Sequence, residues 1–334
     1  DLRHRDRYPT IHAAGPRPIL LPSGAGHGQH HTFTAGAWPR RHPLLTAFLV
    51  LRETTRRVDV GFDVLGAITL AFGAGGLMLA LNQAPERGLD GFVIASIVIG
   101  VVGLAAFVYV ESRVAFPLLP LSFFRRRNFT ASLLAALFSG AAYMGGFILA
   151  PLLLQSVFAF SVSTTSLVML VRPLSFSATS PVGGSVATKI GERPVAMFGS
   201  LAIAVALLLL GVGAEVDMVA LVVFALVLQG IGNGTAQPTI TATLSNSVDE
   251  EDLGIAAAAQ RMTFQVGSAM GITTLTSVYG GTEQASDFLT AYLVGAGLGV
   301  AALVFASFVE STPQPVDHEL QDVRDEHVPA TITD

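Results

Sequence analysis

The sequence predicts an all-α integral membrane protein, and three observations carry that prediction. Eight stretches of about 20 apolar residues lie between residues 64 and 309, each long enough to cross a hydrocarbon core of about 30 Å as a helix. Hydrophobic residues make up 51% of the chain and charged residues 13%, whereas soluble domains carry about a quarter charged residues. The 34 glycines suit membrane helices, which pack closely through small residues.

The eight predicted spans follow one another through short polar connections. They cover residues 64–82, 91–110, 130–154, 163–187, 194–213, 219–241, 254–278 and 288–309. The last residues, 311–334, are polar and acidic, and we predict that they form a disordered cytoplasmic tail.

Composition excludes several classes of function. The net charge of −5 offers no case for nucleic-acid binding, and the absence of cysteine excludes disulfides and thiolate metal sites. Every histidine lies outside the spans, which also lack the acids or Ser/Lys dyad that a membrane-embedded enzyme would need. We therefore predict that the chain is not an enzyme, and we expect no cofactor and no metal.

Residues 1–43 differ from the rest of the chain. They are rich in Arg, His and Pro and show no helical or strand period. The cluster of His27, His30 and His31 suggests a metal site, but the whole stretch is also typical of a disordered tail or of coding sequence read out of frame. In the last case, Leu44–Leu51 would be the end of a spanning helix whose start is missing.

Arginine and lysine residues predict the orientation of the spans. They concentrate before the first span and after the second and fourth, whereas the alternate loops hold only Arg87. Because cytoplasmic loops are enriched in Lys and Arg, we expect the first set of loops to face the cytoplasm. Eight spans then place both termini inside, in a multi-pass protein of the plasma membrane in contact with its lipids.

A few polar side chains lie inside the spans, where such groups normally face the bundle interior or a water-filled cavity. In the sixth span, Gln229, Asn233 and Gln237 follow one another at four-residue spacing and share one helix face. A stripe of this kind can line a cavity or simply hydrogen-bond between helices. The residues that we assign to a substrate cavity are Arg172, Gln229, Asn233, Gln237, Arg261 and Gln265.

These residues make the fourth, sixth and seventh spans the predicted lining of the cavity. The fifth and eighth spans are almost wholly apolar and are predicted to lie at the periphery, facing lipid. Arg172 lies near mid-depth, where an unpaired arginine costs at least about 2.5–3.5 kcal/mol. No Asp or Glu lies clearly within the spans, so an acidic partner would come from a loop or from outside this sequence.

Proline and glycine mark the parts of the bundle that we expect to move. Pro173 and Pro181 interrupt the fourth span and remove backbone hydrogen bonds. Gly267 and Gly271 in the seventh span have the spacing that allows close helix contact. Such helices suit a bundle that rocks, and they also occur in static bundles.

The stretch from Arg172 to Arg193 resembles a loop of the major facilitator superfamily, between the second and third helices of the C-terminal half. The likeness is closest to the 14-helix drug:proton antiporters, whose loop reads roughly G-x-L-A-D-R-x-G-R-R. The matching positions are Gly184, Ala187, Lys189, Gly191 and Arg193, whereas Thr188 replaces the acid and Glu192 a base. Residues 229–238 and 257–271 resemble the fourth and fifth helices of that half.

The resemblance implies a partial major facilitator fold. Residues 44–126 would hold a remnant helix end and two linker helices, and residues 127–310 would form the six-helix C-terminal bundle of two inverted three-helix repeats. Gly184, Lys189, Gly191 and Arg193 would form a cytoplasmic gate loop. The six N-terminal helices, which carry the family's proton-coupling acids, would be missing.

The function implied by the resemblance is secondary active transport. The chain would be the C-terminal part of a proton-driven multidrug efflux pump that exports amphipathic, often cationic, small molecules in exchange for protons by alternating access. We expect it to be inactive alone. The alternative is a non-transporting membrane scaffold or subunit, or a degenerate transporter fragment.

Overall fold

A computed structural model describes residues 63–114, 117–281 and 284–311, and the regular secondary structure in these ranges is entirely helical. The helices are α1 (Val64–Arg87), α2 (Gly91–Glu111), α3 (Arg127–Ser156), α4 (Val162–Met169), α5 (Val171–Ile190), α6 (Glu192–Glu215), α7 (Val219–Ser245), α8 (Leu253–Tyr279) and α9 (Ala285–Ser307). Short 3₁₀ turns cover Leu121–Arg125 and Glu250–Asp252. The predictions for residues 1–62 and 312–334 lie outside the described residues.

Seven of the predicted spans appear as single helices, and the fourth, which we expected two prolines to interrupt, is broken once. That span is divided into α4 and α5 at Leu170. Pro173 explains the break, because it has no N–H to donate to the carbonyl oxygen of Met169, the last residue of α4. Pro181 lies inside α5, which continues through it.

Within the described part of the chain, six helices are long and apolar enough to cross a membrane: α1 over Val64–Ala84, α2, α3, α6, α7 and α9. The other two long helices, α5 and α8, carry Arg172 and the pair Gln260 and Arg261. Arg172 and Gln260 are buried within the bundle, whereas Arg261 is exposed.

Helices α1 and α2 form a closely packed hairpin. Asp63 and Asp90 cap them, each accepting a hydrogen bond of 2.8 Å from a backbone N–H in the first turn. A Cβ at Gly76 would lie 2.7 Å from the backbone nitrogen of Gly100, so glycine is what lets the two backbones touch. The hydroxyl of Thr273 on α8 donates a 2.9 Å hydrogen bond to the Leu81 carbonyl oxygen, which joins the hairpin to the rest of the protein.

The other helices pack in a pattern that repeats after three spans. Helix α3 packs on α8 as α7 packs on α5, and α6 packs on α7 as α9 packs on α3. Helices α6 and α9, which exchange places under this repeat, pack on each other. This is the arrangement expected of two three-helix repeats related by a pseudo-twofold axis, and it was not visible in the sequence.

Polar contacts gather four chain segments at one end of the bundle. At the start of α3, Arg126 donates a 2.6 Å hydrogen bond to the Ser247 carbonyl oxygen, and the Asn128 side chain bonds both backbone groups of Glu310. Asn246 donates a 3.1 Å hydrogen bond to the Glu192 carboxylate. The start of α3, the α5–α6 and α7–α8 junctions and the end of α9 therefore lie together, as alternating helix directions require.

The main apolar core forms where α3, α6, α7 and α9 meet, around Leu149, Ile203, Leu207, Leu226 and Phe288. This core contains much of α6. In the apolar segment of each helix that could span a membrane, 61% of α6 is buried inside the protein, compared with 33% of α9. The predicted lipid-facing surface of the fifth span is limited to one face of α6, which exposes Phe198, Leu201, Val205 and Leu208. The rest of α6 packs inside the protein, because a uniformly apolar helix is equally suited to a protein core.

Candidate functional site

Two cavities lie beside each other in the bundle, with Met144 of α3 in the wall of both. The first has a volume of about 350 Å³ and is lined by Tyr143, Met144, Phe147, Ser166, Met169, Leu170, Arg172 and Pro173. The second has a volume of about 500 Å³ and is lined by Met144, Gln237, Thr241, Ala257, Gln260, Arg261, Phe264 and Gln265. Both volumes fall within the range of small-molecule sites, about 300–1,000 Å³.

Arg172 dominates the first cavity. It is the second residue of α5, just past the break, and only 2% of its surface is exposed. Its Nη2 donates a 2.8 Å hydrogen bond to the Tyr143 carbonyl oxygen. The guanidinium carbon lies 3.6 Å from the centroid of the Tyr143 ring and 4.3 Å from that of Phe147. These cation–π contacts offset part of the cost of removing the charge from water.

The surroundings of Arg172 leave its charge without a carboxylate. Among residues 63–114, 117–281 and 284–311, no ion pair involves it, and its Nε has no acceptor. The buried hydroxyl of Tyr292 on α9, within electrostatic range of the guanidinium, also has no hydrogen-bond partner in this part of the chain. Gly230 of α7 lies against the Arg172 carbonyl oxygen, where a Cβ would collide, so α7 and α5 pack closely at this point.

The polar stripe of the sixth span passes from the protein interior to the second cavity. Gln229 is fully buried and Asn233 is 3% exposed, whereas Gln237 is half-buried and lines the cavity. Neither polar atom of the Gln229 amide has a partner among the described residues, and Gly146 of α3 makes room for that amide. The structure thus brings Gln237 to a cavity wall and places Gln229 and Asn233 behind it.

Helix α8 supplies most of the polar wall of the second cavity. Gln260 is buried and donates a 2.7 Å hydrogen bond to the hydroxyl of Thr241 on α7. Arg261 and Gln265 are exposed on the same wall. Arg261 forms no ion pair within the described part of the chain.

The predicted gate loop is mostly helical. Helix α5 extends to Ile190 and α6 begins at Glu192, so Gly191 alone separates them. Its φ of 94° is accessible to glycine at little cost, and the Arg193 N–H donates a 3.2 Å hydrogen bond to the Ser311 hydroxyl. Lys189 and Arg193 are exposed. The predicted loop is wrong in extent, because the helical hydrogen bonds continue through the residues around Gly184.

The family assignment rests on the larger part of the chain. Residues 131–332 match the family model described as Major Facilitator Superfamily, which covers α3 from its fifth residue onward and all of α4 to α9. The chain belongs to the major facilitator superfamily. The resemblance found in the sequence is therefore confirmed, and the apolar helices are those of a multi-pass membrane protein.

Several curated relatives share this superfamily bundle. The chain is similar to the multidrug transporter protein MdtP of Bacillus subtilis, at 29% identity over 70% of this chain and 43% of MdtP. It is also similar to a tetracycline resistance determinant of Streptomyces rimosus, at 32% identity over 65% of this chain and 63% of that protein. The multidrug efflux pump LfrA of Mycolicibacterium smegmatis is 26% identical over 68% of this chain and 45% of LfrA. The chain thus spans less than two thirds of each of these relatives, which are named as transporters or resistance proteins and not as enzymes.

Sequence reasoning missed the contribution of α3 to the cavities of this major facilitator bundle. Tyr143, Met144 and Phe147 line them, yet the predicted lining contained only the spans with amides and arginines. A signal was present, since Tyr143 and Phe147 stand four residues apart and so share a helix face in a stretch rich in Ala and Gly. That spacing does not distinguish aromatic rings that line a cavity from aromatic rings that pack in an ordinary core.

Proposed function

We propose that this chain forms the linker pair and the C-terminal bundle of an efflux transporter for amphipathic small molecules. The observation that carries the proposal is the pair of adjoining cavities with an unpaired buried arginine and a wall of amides. A cavity of that composition has no purpose in a bundle that only spans the membrane, because each polar group costs free energy there. The names of the relatives, which include multidrug transporters and a tetracycline resistance determinant, agree with this function.

In this proposal, Arg172, Gln237, Arg261 and Gln265 contact the substrate. Gln229 and Asn233 lie one layer behind these residues, and the Asn233 side chain donates a 3.5 Å hydrogen bond to the Gln237 side-chain oxygen. The aromatic rings of Tyr143 and Phe147 provide flat apolar surface, which accommodates many ring systems without a fixed hydrogen-bond pattern. Such a site selects for amphipathic compounds as a class.

Alternating access would use the polar end of the bundle as a latch. At that end, hydrogen bonds join Asn128 to Glu310 and Arg126 to Ser247, and these bonds can break and reform. The turn at Gly191, with Lys189 and Arg193 beside it, would serve as the gate against a second bundle. We assign this end to the cytoplasm because the Lys- and Arg-rich segments meet there, so both termini are cytoplasmic and the membrane is the plasma membrane.

Proton coupling would require groups beyond this bundle. Within the described helices, acidic residues lie in the end turns and not at mid-depth. A proton that drives antiport must bind a group of tunable charge inside the membrane. We therefore propose that the remaining part of the transporter supplies the proton site, and that residues 1–334 alone do not pump.

A chimaera tests the transport proposal directly. Residues 64–311 would replace the corresponding part of MdtP, and drug resistance would be measured in a Bacillus subtilis strain that lacks MdtP. We expect resistance from the chimaera, and its loss when Gln237 and Gln265 are both changed to Leu. A chimaera that inserts at normal levels but gives no resistance would favour a non-transporting scaffold or a degenerate fragment.

Reconstitution of the chain alone tests the second part of the proposal. Purified 1–334 in proteoliposomes should show no proton-dependent export of dye, whatever the imposed pH gradient. Because the chain has no cysteine, single cysteines at Gln237 and Gln265 can be labelled with a membrane-impermeant maleimide to measure cavity access, with a cysteine at the buried Gln229 as the matched control. Equal labelling at all three positions would contradict the assigned cavity wall.

A further inference from the structure

We propose that the first cavity binds the carboxylate of an amphipathic organic acid, with Arg172 as the anion-binding residue. This inference deepens the proposed function and rests on it, since it names the chemical class that this wall of the cavity recognises. It differs from the expectation of cationic substrates, which came from family resemblance and from no residue of this chain.

The first step in the argument is the charge balance around Arg172. A buried guanidinium is normally paired with an acid. Here the described residues provide none, although Arg172 is 2% exposed and its Nε lacks any acceptor. Of the guanidinium's five N–H donors, one bonds the Tyr143 carbonyl oxygen. The site therefore has positive charge and free donors but no resident anion.

The second step is the way in which the guanidinium is held. Rings of Tyr143 and Phe147 lie 3.6 Å and 4.3 Å from its central carbon, and the hydrogen bond to Tyr143 fixes one edge of the group. The planar fork of arginine is suited to binding a carboxylate through two parallel hydrogen bonds. Because its orientation is already set by α3, the group loses little conformational entropy when an anion binds.

The third step is the apolar character of the remaining wall. Met144, Met169, Leu170 and Phe147 surround the cavity next to Arg172. A volume of about 350 Å³ accommodates a fused aromatic ring with a short side chain. A ligand with an apolar body and one carboxylate would satisfy both parts of this lining, whereas an amine would meet the like charge of Arg172.

An arginine outside both cavities provides a matched comparison. Arg113 also lacks an ion pair in the described ranges and lies against an aromatic ring, with its guanidinium carbon 4.9 Å from the centroid of the Tyr109 ring, but it is exposed. An exposed arginine keeps its water and binds a single carboxylate weakly. Acid recognition should thus depend on Arg172 and be independent of Arg113.

Equilibrium binding with three matched probes tests the proposal. Purified 1–334 in nanodiscs would be dialysed against naphthylacetate, naphthylethanol or naphthylethylamine, which share one ring system and differ in charge, with empty nanodiscs subtracted to remove partitioning. We expect the acid to bind at least tenfold more tightly than the alcohol, and the amine to bind more weakly than the alcohol. In R172Q the acid should lose this advantage while the affinity for the alcohol stays within twofold.

Further variants separate recognition from folding. R172K keeps the charge but loses the planar fork, so it should retain a reduced preference for the acid. R113Q, which changes an exposed arginine outside both cavities, should retain the full preference. An acid that binds no better than the alcohol to the unmodified chain would overturn the proposal without requiring any variant to fold. A preference that survives R172Q, or that disappears in R113Q, would also overturn it.

The three probes test the carboxylate site separately from the substrate cavity. If the alcohol binds in the cavity but the acid shows no advantage, the carboxylate site is refuted and the substrate cavity stands. If none of the three probes binds above the empty nanodiscs, both the substrate cavity and the carboxylate site are refuted.

Discussion

Gln260 of α8 donates a 2.7 Å hydrogen bond to the hydroxyl of Thr241 on α7, whereas Gln229, on the interior part of α7, has no partner for either atom of its amide among the described residues. The two side chains have the same chemistry and are both buried. Gln260 has a hydrogen-bond partner and Gln229 has none in the described part of the chain, so the same substitution should have opposite effects on stability at the two positions.

Replacing Gln229 with Leu should therefore raise the free energy of unfolding by about 1 kcal/mol, because a buried polar group without a partner costs about that much or more. Replacing Gln260 with Leu should lower it by about 0.6–1 kcal/mol, since the Thr241 hydroxyl loses its donor. Reversible unfolding in mixed micelles measures the free energy of unfolding of both variants. A loss of stability in Gln229→Leu would show that this amide has a partner, such as an internal water.

Tyr143 should stabilise the bundle through its ring. Tyr143→Leu removes the cation–π contact with the buried Arg172 and should lower the free energy of unfolding by about 2 kcal/mol. Tyr143→Phe keeps the ring and should change it by no more than about 0.5 kcal/mol. Tyr109, whose ring lies 4.9 Å from the Arg113 guanidinium on the exposed surface, is the control, and Tyr109→Leu should cost less than about 1 kcal/mol. Equal effects at the two tyrosines would contradict a special role for the buried pair.

Close contact between α3 and α8 should depend on the absence of a side chain at Gly271. In Gly271→Ala, the added Cβ would collide with the Ala141 carbonyl oxygen. Forcing the two helices apart should lower the free energy of unfolding by about 1–3 kcal/mol. Gly254 lies on the same helix with nothing within 4 Å of an added Cβ, so Gly254→Ala should leave stability unchanged or slightly higher. Thermal unfolding of the two variants side by side measures the difference. If both variants unfold at the same temperature, the α3–α8 packing described here is wrong.

Pro173 should maintain the break between α4 and α5. Pro173→Ala supplies an N–H that can bond the Met169 carbonyl oxygen and make the helix continuous. Hydrogen–deuterium exchange of peptides covering residues 166–176 should then slow, because a continuous helix protects its amides. Pro181→Ala, inside the unbroken part of α5, should not change exchange in that segment. Unchanged exchange in Pro173→Ala would mean that the contact of Arg172 with Tyr143 holds the break open.

Much of the fold followed from the spans and their polar residues. The positions of seven helices and the grouping of Lys- and Arg-rich loops at one end were predictable, because each depends on local composition. The break at Leu170 was foreshadowed by Pro173, but proline alone does not say whether a helix bends or divides. The burial of α6 was not predictable, since an apolar helix surface is equally compatible with lipid and with protein.

The candidate site was predicted less completely. Arg172, Gln237, Arg261 and Gln265 do line cavities, whereas Gln229 and Asn233, on the same helix stripe, lie behind the wall. Gly184 was selected by its match to a motif, yet a Cβ there would meet nothing within 4 Å. Its neighbour Gly183 is the residue that packs against Thr235 of α7, where a Cβ would come within 2.8 Å of the backbone.

By itself, the sequence determined that this protein spans a membrane as a set of helices, because hydrocarbon accepts only long apolar segments whose backbone groups bond one another. It also determined which polar residues share the face of a single helix, since that depends only on the 3.6-residue period. The tertiary structure alone decided which helices those faces meet. The aromatic rings around Arg172 come from α3, which lies about 30 residues earlier in the chain. Such contacts between distant segments depend on packing of the whole bundle, and no periodicity along one helix encodes them.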